Sequence, residues 1–221
     1  MAPLDFNQLL ASPQFSNSIN VILSLAMISL IPFFLVSVTS FLRIIIVFSL
    51  LRTAIGTQQV PPSSVLLGLA LFMTVFIMSP VWQEINTNAV IPYNTKKISQ
   101  AKAFEVGSKP LMQFMLKQTR EKDLALFVQF SKIPPPKTAD QVPFYVLVPS
   151  FMISELKTAF QIGFLLFIPF VIIDLVVANI LLSLGMFMLS PVMVSLPFKI
   201  LLFVLVDGWN LITRGLLMSF K

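Results

Sequence analysis

Few side chains in this sequence could do acid–base or metal chemistry. Histidine and cysteine are both absent, which removes imidazole acid–base work, thiolate nucleophiles, disulfides and zinc ligation by those residues. Asp174, Lys199 and Asp207 stand out because each interrupts an apolar run. A charge inside a membrane helix costs at least ~2.5–3.5 kcal/mol, so it normally faces a partner or water. These residues predict pore-lining or subunit-joining ion pairs. The alternatives are a proton relay and, for Lys199, a side chain that snorkels to the membrane surface.

Asp174 and Asp207 also raise the question of intramembrane aspartyl proteolysis. Such proteases carry a Gly-x-Gly-Asp motif in one helix, whereas this chain has Leu205-Val206-Asp207-Gly208 and does not match the motif. Neither a glycine-rich phosphate loop nor a nucleophile elbow occurs in the sequence. The sequence therefore predicts no catalytic residue, no cofactor and no metal site.

A further charged pair, Glu155 and Lys157, stands at the start of the third hydrophobic segment. Two residues that are two positions apart do not face one another on a helix, so each must seek solvent or another chain. No basic residue within helical reach is well placed for Glu155. We therefore expect it to pair with a cation of another subunit, with simple exposure at a membrane interface as the alternative.

The stretch Gly185-Met186-Phe187-Met188-Leu189 lies between apolar runs and ends before Ser190-Pro191. A glycine at its start and a proline after its end allow the backbone to leave the helix there. Methionine has three soft rotatable bonds and can fill irregular gaps. Two interpretations remain open from the residues alone, core packing and a deformable apolar seal, and composition favours packing.

Composition places the chain in a membrane. Hydrophobic residues make up 57% of it and charged residues 11%, with a mean hydropathy of +0.91. No soluble fold of this length hides so much apolar surface. The net charge of +6 does not indicate nucleic acid, because the basic residues are scattered or lie in one middle segment. Residues 1–20 contain Asp5 and no Lys or Arg, unlike a secretory signal. We expect either insertion by the first hydrophobic helix or earlier removal of a signal.

Hydropathy predicts an all-α membrane protein with two apolar helical hairpins, broken helices and a small helical middle domain. Four regions are expected: an N-terminal segment over 1–18, a first hairpin over 19–82, a polar middle domain over 83–148 and a Pro-interrupted second hairpin over 149–221. In the first hairpin, Pro32 should kink the first helix, Gly56 should end the next one and Ser79-Pro80 should close the hairpin. Helical spacing continues over 101–130. Broken backbone at membrane depth is tolerated only inside protein or beside a cavity, so the second hairpin should pack inside an assembly.

Several stretches are similar to the FliP/SctR export-gate family. They are 39–43 (TSFLR), 50–62 (LLRTAIGTQQVPP), 68–72 (GLALF), 76–81 (FIMSPV), 156–164 (LKTAFQIGF), 196–199 (LPFK) and 207–209 (DGW). Residues 114–121 (FMLKQTRE) and 123–124 (DL) resemble the flagellar branch rather than the virulence-injectisome branch.

The resemblance implies a pore-forming subunit of a bacterial type III protein export gate in the inner membrane, at the flagellar basal body. Five copies would join FliQ and FliR, or their counterparts SctS and SctT, beside FlhA/FlhB-type components. Unfolded rod, hook and filament proteins would pass through the ring, which sits toward the periplasmic side.

The family's methionine-rich loop falls on Met186, Phe187 and Met188, with Phe187 where flagellar members usually carry a third methionine. The family's interface and gate positions fall on Phe114, Phe127, Glu155 and Lys199. We also expect Lys157 to lie at the subunit interface. The positive-inside rule predicts that a basic middle domain stays in the cytoplasm. The resemblance implies instead that it lies outside the cytoplasm, and we adopt that expectation. The alternative function is a small-molecule secondary transporter with broken helices around a midplane site.

Overall fold

The computed structural model describes residues 13–57, 59–132 and 141–220, and all regular structure within those ranges is helical. The first twelve residues of the predicted N-terminal segment, together with Gln58 and the Pro134-Pro135-Pro136 run, lie outside the described residues. Two helical stretches, Ser63–Asn94 and Phe144–Ser183, are long and apolar enough to cross a membrane, and there are up to four spans if each of two bent helix pairs counts as one. The predicted class, an all-α membrane protein, is confirmed.

The chain divides into two compact units, Met1–Val36 and Ser37–Lys221. Helix α1 (Pro13–Val38) supplies the described part of the first unit, and it continues through Pro32. No residue from Ile19 to Leu42 is charged, which predicts one membrane-crossing helix. The structure instead ends α1 at Val38 and begins a new helix at Phe41.

In the second unit, α2 (Phe41–Ile55) ends at Gly56, whose φ of 88° is left-handed and whose N–H donates to the carbonyl of Thr53 at 3.1 Å. Glycine adopts this conformation without a steric penalty, so the predicted helix end is confirmed. Helix α3 (Ser63–Ile85) follows Pro62.

The expectation that this hairpin closes at Ser79-Pro80 is wrong. Helix α3 passes through Pro80, and a π-helical segment, Asn86–Val90, carries it into α4 (Ile91–Asn94). A proline removes one backbone donor and strains one turn. The turns on either side keep their own hydrogen bonds, so the helix survives with a local irregularity.

The helical region predicted over 101–130 is two helices, α5 (Gln100–Gln118) and α6 (Glu121–Ser131), with a break at Thr119-Arg120. Both helices pack on the start of α7 (Phe144–Ser183). The buried cluster between them consists of Val38, Met115, Val142, Val146, Leu147 and Phe151.

Helix α7 is 40 residues long and contains Pro149 and Pro169 without interruption. Helix α8 (Pro191–Leu205) likewise contains Pro197, and α9 (Gly208–Met218) is bent from α8 by 63°. The predicted breaks in the second hairpin therefore occur at residues 184–190 and at Val206-Asp207, not at the internal prolines. Ser154 to Lys157 consequently lie inside α7 and not at its start.

Close approach of α2 and α7 depends on one glycine. A Cβ atom at Gly163 would lie 2.2 Å from Cδ1 and 3.1 Å from Cβ of Leu50. Real Cβ atoms essentially never come this close to another carbon, so the backbone of α7 sits against the Leu50 side chain only because residue 163 has none. The missing side chain at Gly163 therefore sets how closely α7 can approach α2 at this point.

Candidate functional site: the apolar tip loop and its buried ion pairs

The loop that joins α7 to α8, residues 184–190, is called the tip loop here. Gly185 has a left-handed φ of 73° and its N–H donates to the Leu182 carbonyl at 3.0 Å. The Met186 N–H donates to the Leu181 carbonyl at 2.9 Å. This pair of bonds is the Schellman arrangement that terminates a helix at glycine. Pro191 occupies the first turn of α8, where its missing donor costs nothing.

The tip loop presents its apolar side chains outward. Met186 is 46% exposed, Phe187 77% and Met188 100%. None of these three side chains is packed in the core of this chain. Large apolar groups exposed together mark a surface that meets lipid or protein, so the loop is built to contact something outside its own subunit.

A charged cluster ties α7 to α8 behind the tip loop. Lys199 Nζ donates to Asp174 Oδ2 at 2.6 Å, and the Ser195 hydroxyl donates to the other carboxylate oxygen of Asp174. The Lys199 side chain is only 4% exposed and that of Asp174 30%. Both intramembrane charges thus find partners within one chain. Whether they also line a pore or join subunits stays a prediction.

Asp207 stands apart from this cluster. It occupies the bend between α8 and α9 with a left-handed φ of 50°. Its carboxylate is exposed and makes no hydrogen bond that caps α9, and within the described ranges it has no ion-pair partner. Aspartate tolerates the left-handed region better than most residues, which suits it to this bend.

A second buried charge centre was missed by the sequence reasoning. Arg43 of α2 donates from Nε to Glu155 Oε2 of α7 at 2.9 Å, and its NH2 group donates to Glu155 Oε1. The expectation that Glu155 takes its cation from another subunit is therefore wrong. The partner lies 112 residues away in the same chain, whereas the search covered only residues within helical reach.

The remaining donors of Arg43 are also satisfied. They reach the Gln118 side-chain oxygen at 3.0 Å and both the hydroxyl and the carbonyl of Ser219 at 2.9 Å. The Phe220 ring lies 3.8 Å from the guanidinium carbon, within the range of a cation–π contact. Arg43 thereby joins α2, α5, α7 and the C-terminal residues. A cation in an apolar flank with no local acid was the signal that could have found it.

A polar network holds the break between α5 and α6 against α7. The Arg120 N–H donates to the Ser154 hydroxyl at 3.0 Å, which in turn donates to Asp123 at 2.7 Å. The Arg120 guanidinium donates to Thr158 at 3.1 Å and to Gln161 at 2.6 Å. Lys157, predicted at an interface, is exposed and has no ion-pair partner in the described part of the chain. An interface role for it stays a prediction.

Phe114 and Phe127, also predicted at a subunit interface, are partly buried against the cluster of their own chain. Phe114 lies between two other rings, with centroid distances of 6.0 Å to Phe151 and 6.3 Å to Phe220. Such separations are typical of favourable aromatic pairs. Each ring therefore has contacts within the subunit, and contact with a neighbouring subunit remains a prediction.

An exposed ion pair on α5 offers a contrast to the buried ones. Lys102 Nζ donates to both carboxylate oxygens of Glu105 at 3.0 Å. This hydrogen bond and the charge of the Lys102 ammonium lower the pKa of Glu105 from its usual value. Both side chains are more than half exposed, so solvent screens the pair.

Comparison with known proteins identifies the relatives of this chain. A sequence model described as the FliP family matches residues 24–216. The flagellar biosynthetic protein FliP of Bacillus subtilis (strain 168) is 54% identical over 205 residues, which is 93% of this chain and 93% of that protein. The protein of the same name from Pectobacterium carotovorum subsp. carotovorum is 53% identical over 92% of this chain and 79% of its own length. That from Caulobacter vibrioides is 52% identical over 89% of this chain and 74% of its own length.

Proposed function

Because the chain belongs to the FliP family, we propose that it is the pore-forming subunit of the type III flagellar protein export gate. It would conduct unfolded rod, hook and filament proteins across the inner membrane. The observation that carries this proposal is the tip loop, whose side chains at Met186, Phe187 and Met188 point away from their own subunit. Membrane-spanning helices and flagellar relatives support the setting.

The partners proposed are four further copies of this chain together with FliQ and FliR, with FlhA/FlhB-type components beside them. Two exposed apolar faces support the need for such neighbours. On α3, Phe72 is 78% and Phe76 70% exposed, and on α7, Phe164 is 69% exposed. Lipid is one possible cover for these faces. A tip loop that faces an aqueous pore is not covered by lipid, so its apolar side chains need the tip loops of neighbouring subunits as partners. The ring would sit toward the periplasmic side.

The physical task of the loop follows from the size of the cargo. A passage wide enough for an unfolded chain would dissipate the proton gradient if it stood open. Five tip loops around one axis would bring fifteen flexible or flat apolar side chains together, about three from each subunit. Hydrated ions cannot shed water cheaply into such a collar. Unbranched methionine side chains can also close around cargo of varied shape.

Removal of residues 186–188 tests the proposal. The ring should still assemble, because none of these side chains packs in the subunit core. The inner membrane should become leaky to ions, measured as conductance of the complex in planar bilayers. A matched control replaces the exposed Phe104 and Phe130 of the middle helices with Ser and should leave conductance unchanged.

Two results would contradict the proposal. One is a deletion variant that assembles, stays ion-tight and exports normally. The other is a detergent-solubilised protein that behaves as a stable monomer and transports a small solute. The mass of the purified complex decides the second point directly.

A further inference from the structure

We infer that Asp174, Ser195 and Lys199 are positioning residues that set the register of the α7–α8 hairpin and thereby the location of the tip loop. This inference rests on the proposed function of the loop. The residues lie on the two legs of the hairpin that the loop connects. Asp174 precedes the end of α7 by about nine residues, roughly 14 Å of helix, and Lys199 follows the start of α8 by about eight residues, roughly 12 Å.

The tip loop has few tethers of its own. Its backbone hydrogen bonds are local: Leu184, Gly185 and Met186 donate to the last turn of α7, and Leu189 donates to Met186. Its apolar side chains from 186 to 189 are at least 46% exposed. The loop therefore goes where its two legs carry it. A slip of α8 along α7 by one turn would move the whole loop by about 5 Å.

The apolar contacts of the hairpin specify its register weakly. Apart from Ser195 and Lys199, the residues buried on these two legs between 170 and 203 are apolar: Phe170, Val177 and Leu181 on α7, and Phe203 on α8. Contacts among such side chains are non-directional. A buried polar contact behaves differently, because sliding the legs would leave a charge without its partner. A polar group in an apolar helix seam is the best-attested device for fixing register.

The cluster has the geometry that this role requires. Asp174 accepts from Lys199 with one oxygen and from Ser195 with the other. Ser195 and Lys199 are one helical turn apart, so both face the same leg. Ser195 is fully buried and Lys199 is 3% exposed. Two donors on one carboxylate exclude neighbouring registers more strictly than a single bond would.

Spin-label distances test the inference within one subunit. The chain has no cysteine, so labels can be placed at Thr53→Cys on α2 and at Met188→Cys in the tip loop, both exposed positions. Labelled chains are diluted with unlabelled chains, and the distance between the two labels is measured by pulsed electron paramagnetic resonance. The parent should give one narrow distance distribution.

The paired neutral variant Asp174→Asn with Lys199→Gln removes both charges and leaves no buried charge unpaired. Its distance distribution should broaden or shift, whereas the charge exchange Asp174→Lys with Lys199→Asp should restore the narrow one. The control Glu105→Gln, which breaks the exposed ion pair on α5, should change nothing. A broad distribution in the parent, or an unchanged distribution in the neutral pair, would overturn the inference.

A separate readout tests the proposed function of the loop. Met188→Cys alone should form disulfides between subunits on oxidation, if five loops meet at one axis, and most of that product should be lost in the neutral pair. Absence of cross-linking in an assembled parent ring contradicts the gate proposal. The distance measurement stands independently of that result, so the two ideas can fail separately.

Discussion

Arg43 and Glu155 form an ion pair in which neither side chain is more than 2% exposed. The pair connects α2 to α7 and, through the other donors of Arg43, reaches α5 and the C-terminal residues. Each charge was removed from water to make this contact, so its favourable energy depends on every partner being in place. Removing either partner should therefore leave an uncompensated buried group and destabilise the contact between α2 and α7.

The first prediction concerns this buried ion pair. Arg43→Met or Glu155→Gln should destabilise the subunit by about 3–5 kcal/mol, because one buried group loses its partner. Thermal unfolding in detergent measures the change. The matched substitution Glu105→Gln breaks an exposed pair that solvent screens, and it should leave the melting temperature almost unchanged. Equal melting temperatures for Glu155→Gln and the parent would show that the buried pair does not stabilise this fold.

The second prediction uses the contact between Gly163 and Leu50. Gly163→Ala places a methyl group 2.2 Å from Cδ1 of Leu50 and should cost about 1–3 kcal/mol through overpacking. Leu50→Ala in the same chain should recover part of that loss, because it vacates the space. Gly68→Ala is the control, since a Cβ there meets nothing within 4 Å. If the loss of stability in the double variant equals the sum of the losses in the two single variants, the two residues are not in direct contact.

The third prediction separates contacts within a subunit from contacts between subunits. Phe114 packs against both Phe151 and Phe220, so Phe114→Ala should lower the stability of the subunit itself, by about 3 kcal/mol. Phe104 is 80% exposed, and Phe104→Ala should stay within about 0.5 kcal/mol. Unfolding of the dissociated subunit is compared with the yield of the ring. Loss of the ring with an unchanged subunit melting temperature would place the energetic role of Phe114 at the interface.

Local signals explain what could be predicted from the sequence. Gly56 and Gly185 each end a helix because glycine reaches left-handed backbone freely, and both ends were readable from the residue type alone. Pro191 began a helix for an equally local reason. The helix ends on either side of the tip loop follow from these local signals, whereas a gating role for its side chains stays a prediction.

Long-range contacts explain what could not be predicted. The partner of Glu155 is 112 residues away, and periodicity carries no information on such a distance. The second hairpin was expected to be interrupted by its prolines, but α7 continues through Pro169 and α8 through Pro197. Pairing, helix continuity and close glycine contacts all require knowledge of which helices are neighbours.

The fourth prediction concerns the end of α7. Gly185 has open space around its Cα but a φ of +73°, so Gly185→Ala should be strained without any steric clash and cost about 1–2 kcal/mol. Gly185→Asn should cost less, because asparagine tolerates the left-handed region. Thermal unfolding of the two variants gives the comparison. Equal losses for Ala and Asn would indicate that the strain lies elsewhere in the loop.

The last prediction addresses how the tip loop seals. Replacing Met186, Phe187 and Met188 together with Leu keeps the loop apolar, so the resting complex should remain as ion-tight as the parent, because hydrated ions still meet an apolar constriction. Export should nevertheless slow, since branched leucine adapts less well than methionine to cargo of changing shape. Conductance at rest and the secretion rate of a flagellar substrate are measured on the same variant.

The single substitution Phe187→Met provides the matched control, because it removes the one flat, stiff ring from the loop and adds a flexible side chain. It should be ion-tight and export at least as fast as the parent. If the Leu variant instead leaks while the Met variant does not, the seal depends on side-chain length more than on apolar character. If both variants export at the parental rate, softness of the loop is irrelevant to transport and only its apolar character matters.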